Sequence, residues 1–154
     1  MSHVKTLCLG FAAVVCGALA TSGRAQQPPQ APPPLTMKML KPDVWAGLGG
    51  AGGNSTIIIG KTGVIVVDAK QTEVGAKDLL AQIAKITPKP VTTAIITHSD
   101  GDHVNGLVAF PSGTRIIAHE NNKKEQQTAL AAGGRGAPPP DRLPNQVVTK
   151  NKKR

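Results

Sequence analysis

At 154 residues and 15.9 kDa, the chain has room for one domain and not for two comfortable ones. Hydrophobic residues make up 40% but aromatics only 2%, with one Trp, two Phe and no Tyr. A core must therefore come from Val, Ile, Leu and Ala, and nucleic-acid recognition by base stacking is excluded for want of platforms. Eighteen Lys and Arg against nine Asp and Glu leave a formal charge of +9. Apart from Lys150, Lys152, Lys153 and Arg154 that excess is scattered, which reads as a solvated basic end.

Residues 1–25 have the composition of a secretory signal peptide. Lys5 supplies the positive start, Leu7 to Ala20 is an apolar run too short for a permanent membrane span, and Gly23 and Ala25 put small side chains before a cleavage point. Export to the periplasm or medium is the expectation. Cys8 and Cys16 would leave with the leader, so a disulfide framework is not expected in the mature chain. Residues 26–36 follow as a proline-rich linker, with five of the thirteen prolines between Gln26 and Pro34.

The remainder, 37–154, alternates strand and helix. Thr36 to Leu40 and Val44 to Ala46 read as short strands, followed by a glycine-rich turn from Gly47 to Gly53. Ser55 to Ile59 and Val64 to Val67 are β-branched runs around a Gly60-Lys-Thr-Gly63 turn, giving an antiparallel meander. Ala76, Leu79, Leu80 and Ile83 fall on one helical face between Gln71 and Ile86, and Pro88 and Pro90 stop that helix. Val91 to Thr97 is a further strand, running into a polar loop from His98 to Gly106. Arg115 to Ala118, a polar helix from Glu120 to Ala132, a Gly/Pro loop and a last strand from Val147 complete an α/β layer arrangement.

Two motifs need weighing. Gly47-Leu-Gly49-Gly-Ala-Gly52 spells a dinucleotide fingerprint, but a strand-like stretch follows where a helix must open, so a nucleotide site is not expected and the loop is better placed flanking a cleft. His98-Ser-Asp100-Gly-Asp102-His103 is different in kind. Two imidazoles and two carboxylates within six positions, directly after an apolar strand, suit zinc, with iron or manganese as harder alternatives. His98 and Asp100 can point the same way at a strand end, and Gly101 lets Asp102 and His103 address a second point. A calcium loop fails on register, since its twelfth position is Pro111.

These residues resemble the metallo-β-lactamase superfamily of metal-dependent hydrolases. Thr97-His98 followed by Asp102-His103 is similar to that family's H-x-H-x-D-H signature, and GGNSTIIIG, GVIVVDAK and VTTAIITH resemble its usual run-up, over roughly Lys38 to Lys150. The resemblance implies the N-terminal half of an αββα sandwich, with the domain cut short at its C-terminus and the ligands of the second half missing. It implies that His98 binds a first metal and that Asp102 and His103 bind a second, with Asp100 standing where the family has a histidine. Asp102 would also orient the water activated by one or two zinc ions, and Asp68 would hold the ligand loop from behind. His119 is left a structural or rim role.

The expected function is zinc-dependent hydrolysis of an ester, amide or lactam-like bond in a small molecule. No nucleic-acid partner and no stable membrane span are expected. The alternative is a secreted, non-catalytic metal- or polyanion-binding module, or an inactive fragment.

Overall fold

The computed structural model describes residues 31–133 and 139–149. Seven strands form one sheet in the order of the chain: β1 (Thr36–Lys41), β2 (Val44–Leu48), β3 (Ser55–Ile59), β4 (Val64–Val67), β5 (Val91–Ile96), β6 (Arg115–His119) and β7 (Gln146–Val148). The first four are antiparallel, as the short turns between them allow, and β4 to β7 are parallel, as the longer crossovers require. The architecture is mixed α/β, as the alternation of patterns predicts.

Helix α1 (Glu73–Ile86) carries the chain from β4 to β5. Thr72 caps it by accepting the Gly75 N–H at 3.0 Å, and Glu73 and Lys85 complement its dipole at the two ends. Its predicted apolar face is the observed one: Ala76, Leu79 and Ile83 are buried, and Leu80 packs at the margin. They meet Ile57, Val66, Ala94 and Ile116, which the register sets side by side on one face of the sheet. Ile58, Ile65, Val67, Ile95 and Ile117 line the other face and are half-buried, which explains why these strands read as near-continuous apolar runs.

Strand ends differ from the sequence reading by a residue or two, and the differences near the glycine turn, after β5 and at the start of β1 bear on the site. Gly47 and Leu48 extend β2, so the glycine turn begins at Gly49. The expected polar loop after β5 contains a single helical turn, α2 (Gly101–Val104), and then a 3-10 turn over Asn105–Ala109. Val104, Leu107 and Phe110, three apart, are buried there, and that spacing winds the segment up. Finally, Thr36 opens β1, as that strand was read, so the linker bound at 36 runs one residue too far, and the end of the proline-rich stretch is docked: Pro33 O accepts the Gly50 N–H at 2.7 Å and Leu35 packs on the core. Its first residues, 26–30, and the expected leader lie outside the described residues, as does the basic end from Lys150. Helix α3 (Glu120–Ala131) and a 3-10 turn over Pro140–Arg142 follow β6.

Candidate metal centre

Parallel neighbours end at the same edge. Asp68 follows β4 and Thr97-His98 follows β5, so pairing Val67 with Ile95 brings the two ends together; the Asp68 N–H donates to Ile95 O at 2.9 Å. Ligands of open α/β sheets gather beyond the carboxyl ends of such strands. Here α2 carries Asp102 and His103 back over that edge. Two backbone bonds hold it: the Ala69 N–H donates to His103 O at 2.8 Å, and the Gly106 N–H to Lys70 O at 3.0 Å.

The four residues singled out in the sequence are brought together in two pairs. His103 Nε2 lies 3.2 Å from Asp102 Oδ2, and His98 Nε2 lies 3.7 Å from Asp100 Oδ2. The two imidazoles touch, with ring centroids 3.8 Å apart and planes inclined by 52°. On a tetrahedral zinc with N and O donors at about 2.0–2.2 Å, neighbouring donors sit roughly 3.3 Å apart. The donor chemistry and the tighter pair's spacing therefore fit a divalent cation. Ligand-capable atoms of Asp68, His98 and His103 lie within 4.8 Å of one another, and so do those of His98, Asp100 and Asp102.

Asp68 differs from the rest. Its side chain is 9% exposed, against 44% for that of Asp102, and its oxygens are already engaged. Oδ1 accepts the Thr97 N–H at 2.9 Å and Oδ2 the Thr97 hydroxyl at 2.8 Å. The same Oδ2 lies 2.9 Å from His103 Nδ1, although that buried nitrogen makes no well-aligned hydrogen bond. A carboxylate behind an imidazole orients the ring and sets which nitrogen faces forward. Ser99, between His98 and Asp100 in the chain, donates its hydroxyl to Glu125 of α3 at 2.7 Å. His119 lies away from these pairs in chain and role: it caps α3, its Nδ1 accepting the Asn121 N–H at 3.2 Å.

Sequence reasoning missed Lys70. Its ammonium is 0% exposed and donates to three backbone carbonyls, Gly49 and Gly53 at 2.8 Å and Gly47 at 3.3 Å. Burial pushes its pKa down, with the charge of Asp78 pulling partly back. The glycine turn it ties is the floor of the site. The Gly53 N–H donates to Asp102 O at 3.1 Å, and a Cβ on Gly53 would run into the His103 ring. The signal was a lysine two residues past the aspartate that ends β4; in the structure it takes a left-handed conformation (φ 72°) that L side chains rarely adopt.

A seven-stranded sheet with α1 packed against it, and a cluster of His and Asp at the carboxyl edge, define an α/β protein with a candidate metal site. The sequence model of the metallo-beta-lactamase superfamily matches residues 48–152, and the chain belongs to that superfamily. A 58-residue stretch is 34% identical to the linear primary-alkylsulfatase of Pseudomonas sp. (strain ATCC 19151), covering 38% of this chain and 11% of that protein. Among solved structures, the metallo-beta-lactamase FIM-1 from Pseudomonas aeruginosa, in its mono-zinc form, has a TM-score of 0.60 at 17% identity, over 80% of this chain and 54% of its own. The stereoselective inverting sec-alkylsulfatase Pisa1 from Pseudomonas sp. has a TM-score of 0.58 at 21% identity, over 64% of this chain and 17% of its own. The chain thus spans about half the length of that lactamase and a smaller part of the sulfatases.

Proposed function

We propose that this chain is the metal-binding part of a zinc-dependent hydrolase acting on a small molecule. The observation that carries the reading is the convergence of His98, Asp100, Asp102 and His103 at one sheet edge, in pairs whose donor atoms face each other at 3.7 and 3.2 Å. His98 with Asp100 forms one half of the centre and Asp102 with His103 the other; with one imidazole and one carboxylate in each half, iron or manganese would also suit the set. When bound, a divalent ion supplies Lewis acidity and a water that ionises near neutral pH. Asp102 is the catalytic candidate, because its partly exposed carboxylate would help hold the ion and orient a water there, while Asp68 keeps His103 in place.

Among ester, amide and lactam-like bonds, the sequence match to an alkylsulfatase favours an ester, with an alkyl sulfate as the first substrate to try. Export, supported by the composition of residues 1–25, is part of the same reading. The test is elemental analysis of the purified chain together with chelator-sensitive hydrolysis of an alkyl sulfate and a chromogenic lactam. The double substitution His98→Ala with His103→Ala is expected to abolish bound zinc, and unchanged metal content would overturn the ligand assignment. A second reading, a metal-binding module without turnover, draws on the donor count of two per pair. Zinc uptake with no chelator-sensitive hydrolysis would select it.

A further inference from the structure

Thr97 has three polar contacts and its hydroxyl has one proton to give. The backbone N–H reaches Asp68 Oδ1 at 2.9 Å, while the hydroxyl oxygen lies 2.8 Å from Asp68 Oδ2 and 2.9 Å from His98 Nδ1. An ionised carboxylate can only accept, so the hydroxyl proton goes to Asp68. The hydroxyl then meets His98 with lone pairs alone, and the proton in that contact must sit on Nδ1. Nε2 is left with its lone pair, and Nε2 is the atom facing Asp100 Oδ2.

We propose that Thr97 is a positioning residue for the candidate metal centre: anchored on Asp68, its hydroxyl holds His98 as the Nδ1–H tautomer and so presents Nε2 as the donor. One buried carboxylate then stands behind both imidazoles, close to His103 Nδ1 and, through the Thr97 hydroxyl, behind His98. The fold supplies the alignment, since Asp68 and Thr97 each follow a parallel strand and the strands are neighbours. A β-branched side chain with few χ1 options keeps the hydroxyl on that line. The consequence for metal binding rests on the function proposed above; the tautomer itself does not.

Imidazole without such an acceptor prefers its proton on Nε2 in water, so the hydroxyl should shift His98 away from its usual form. The experiment is long-range 15N–1H NMR of the full metal-free chain labelled at histidine, at about pH 8.5, above the ordinary imidazole range. Zinc titration against a chromophoric chelator accompanies it. Wild type is expected to show His98 as Nδ1–H. Thr97→Val, nearly isosteric, is expected to move it to Nε2–H and to weaken zinc binding about tenfold or more, whereas Thr97→Ser keeps both.

Asp68→Asn makes the sharper prediction. Its carbonyl oxygen still accepts the Thr97 N–H, so its amide nitrogen donates to the hydroxyl oxygen. The hydroxyl proton then turns to His98 Nδ1, and the tautomer inverts. A merely structural role for Thr97 would invert nothing. Wild-type His98 as Nε2–H would overturn the proposal. So would an unchanged tautomer in both Thr97→Val and Asp68→Asn, or a loss in Thr97→Ser equal to that in Thr97→Val. Should the tautomers follow the hydroxyl while wild type takes up no zinc, the positioning role stands and the metal-binding reading falls.

Discussion

The parallel strands of this protein have two ends with little in common. At the carboxyl edge, Asp68, His98, Asp102 and His103 crowd together, α2 folds back over them, and a buried ammonium ties a glycine turn underneath. At the amino edge, Leu80, Ile83, Pro88, Pro90, Val91 and Pro111 line a groove of about 390 Å³ whose polar side chains are those of Thr87 and Lys89. There the Val64 N–H donates to Pro90 O at 2.8 Å, and the prolines end α1 and start β5 without adding a titratable group. One sheet thus separates stability from chemistry. Packing at the amino edge holds the strands, and the other edge gathers the donor atoms.

Substitutions at the two edges should therefore separate unfolding from metal binding. The largest stability effect belongs to the amino edge. Ile83→Ala is expected to lower stability by about 3 kcal/mol through the cavity it leaves, seen as an earlier urea midpoint, with zinc affinity unchanged. A matching loss of zinc affinity would break the contrast.

Lys70→Met comes next. It strips the donor from the carbonyls of Gly47, Gly49 and Gly53 and is expected to cost about 2 kcal/mol, and to loosen the turn against which His103 sits. Zinc binding should weaken with it. The pH dependence has a definite sign. Burial lowers the Lys70 pKa in the folded chain, so the unfolded chain binds more protons, and this contribution to stability rises with pH from the folded pKa up to the ordinary lysine value. Urea unfolding between neutral and alkaline pH should show that rise in wild type and its loss in Lys70→Met.

Gly53→Ala is the smallest change and the most local. Its methyl group would meet the His103 ring, so a displacement costing about 1–2 kcal/mol is expected. The effect should be read mainly in zinc affinity by chelator competition and only weakly in the midpoint. The reverse ranking would show that the turn is a folding element and not a floor for the site.

Much of this was legible before the fold. The β-branched runs from Ser55 to Ile59 and from Val64 to Val67 are strands with those bounds, because short apolar runs between glycine turns have few other options. The face of α1 followed from its period. The four ligand-type residues stood out because imidazole and carboxylate rarely share six positions for packing alone. The winding of Gly101 to Ala109 was not legible. Its polar composition concealed Val104, Leu107 and Phe110, whose burial depends on α1, which ends at Ile86, well upstream of Val104 in the chain, passing beneath them. The glycine turn was read as free of a nucleotide, and the structure shows it holding Asp102 and seating His103.

By itself the sequence determined the strands and the two long helices, the apolar face of α1 and the donor atoms, since each follows from local period or from side-chain chemistry within a few residues. Only the tertiary structure decided which groups stand behind those donors. Asp68 reaches Thr97 across 29 residues, and Lys70 reaches Gly53 across 17, because parallel pairing of β4 with β5 and the fold-back of α2 bring these segments to one edge. Contacts of that separation arise from the packing of whole elements, and no local pattern encodes them.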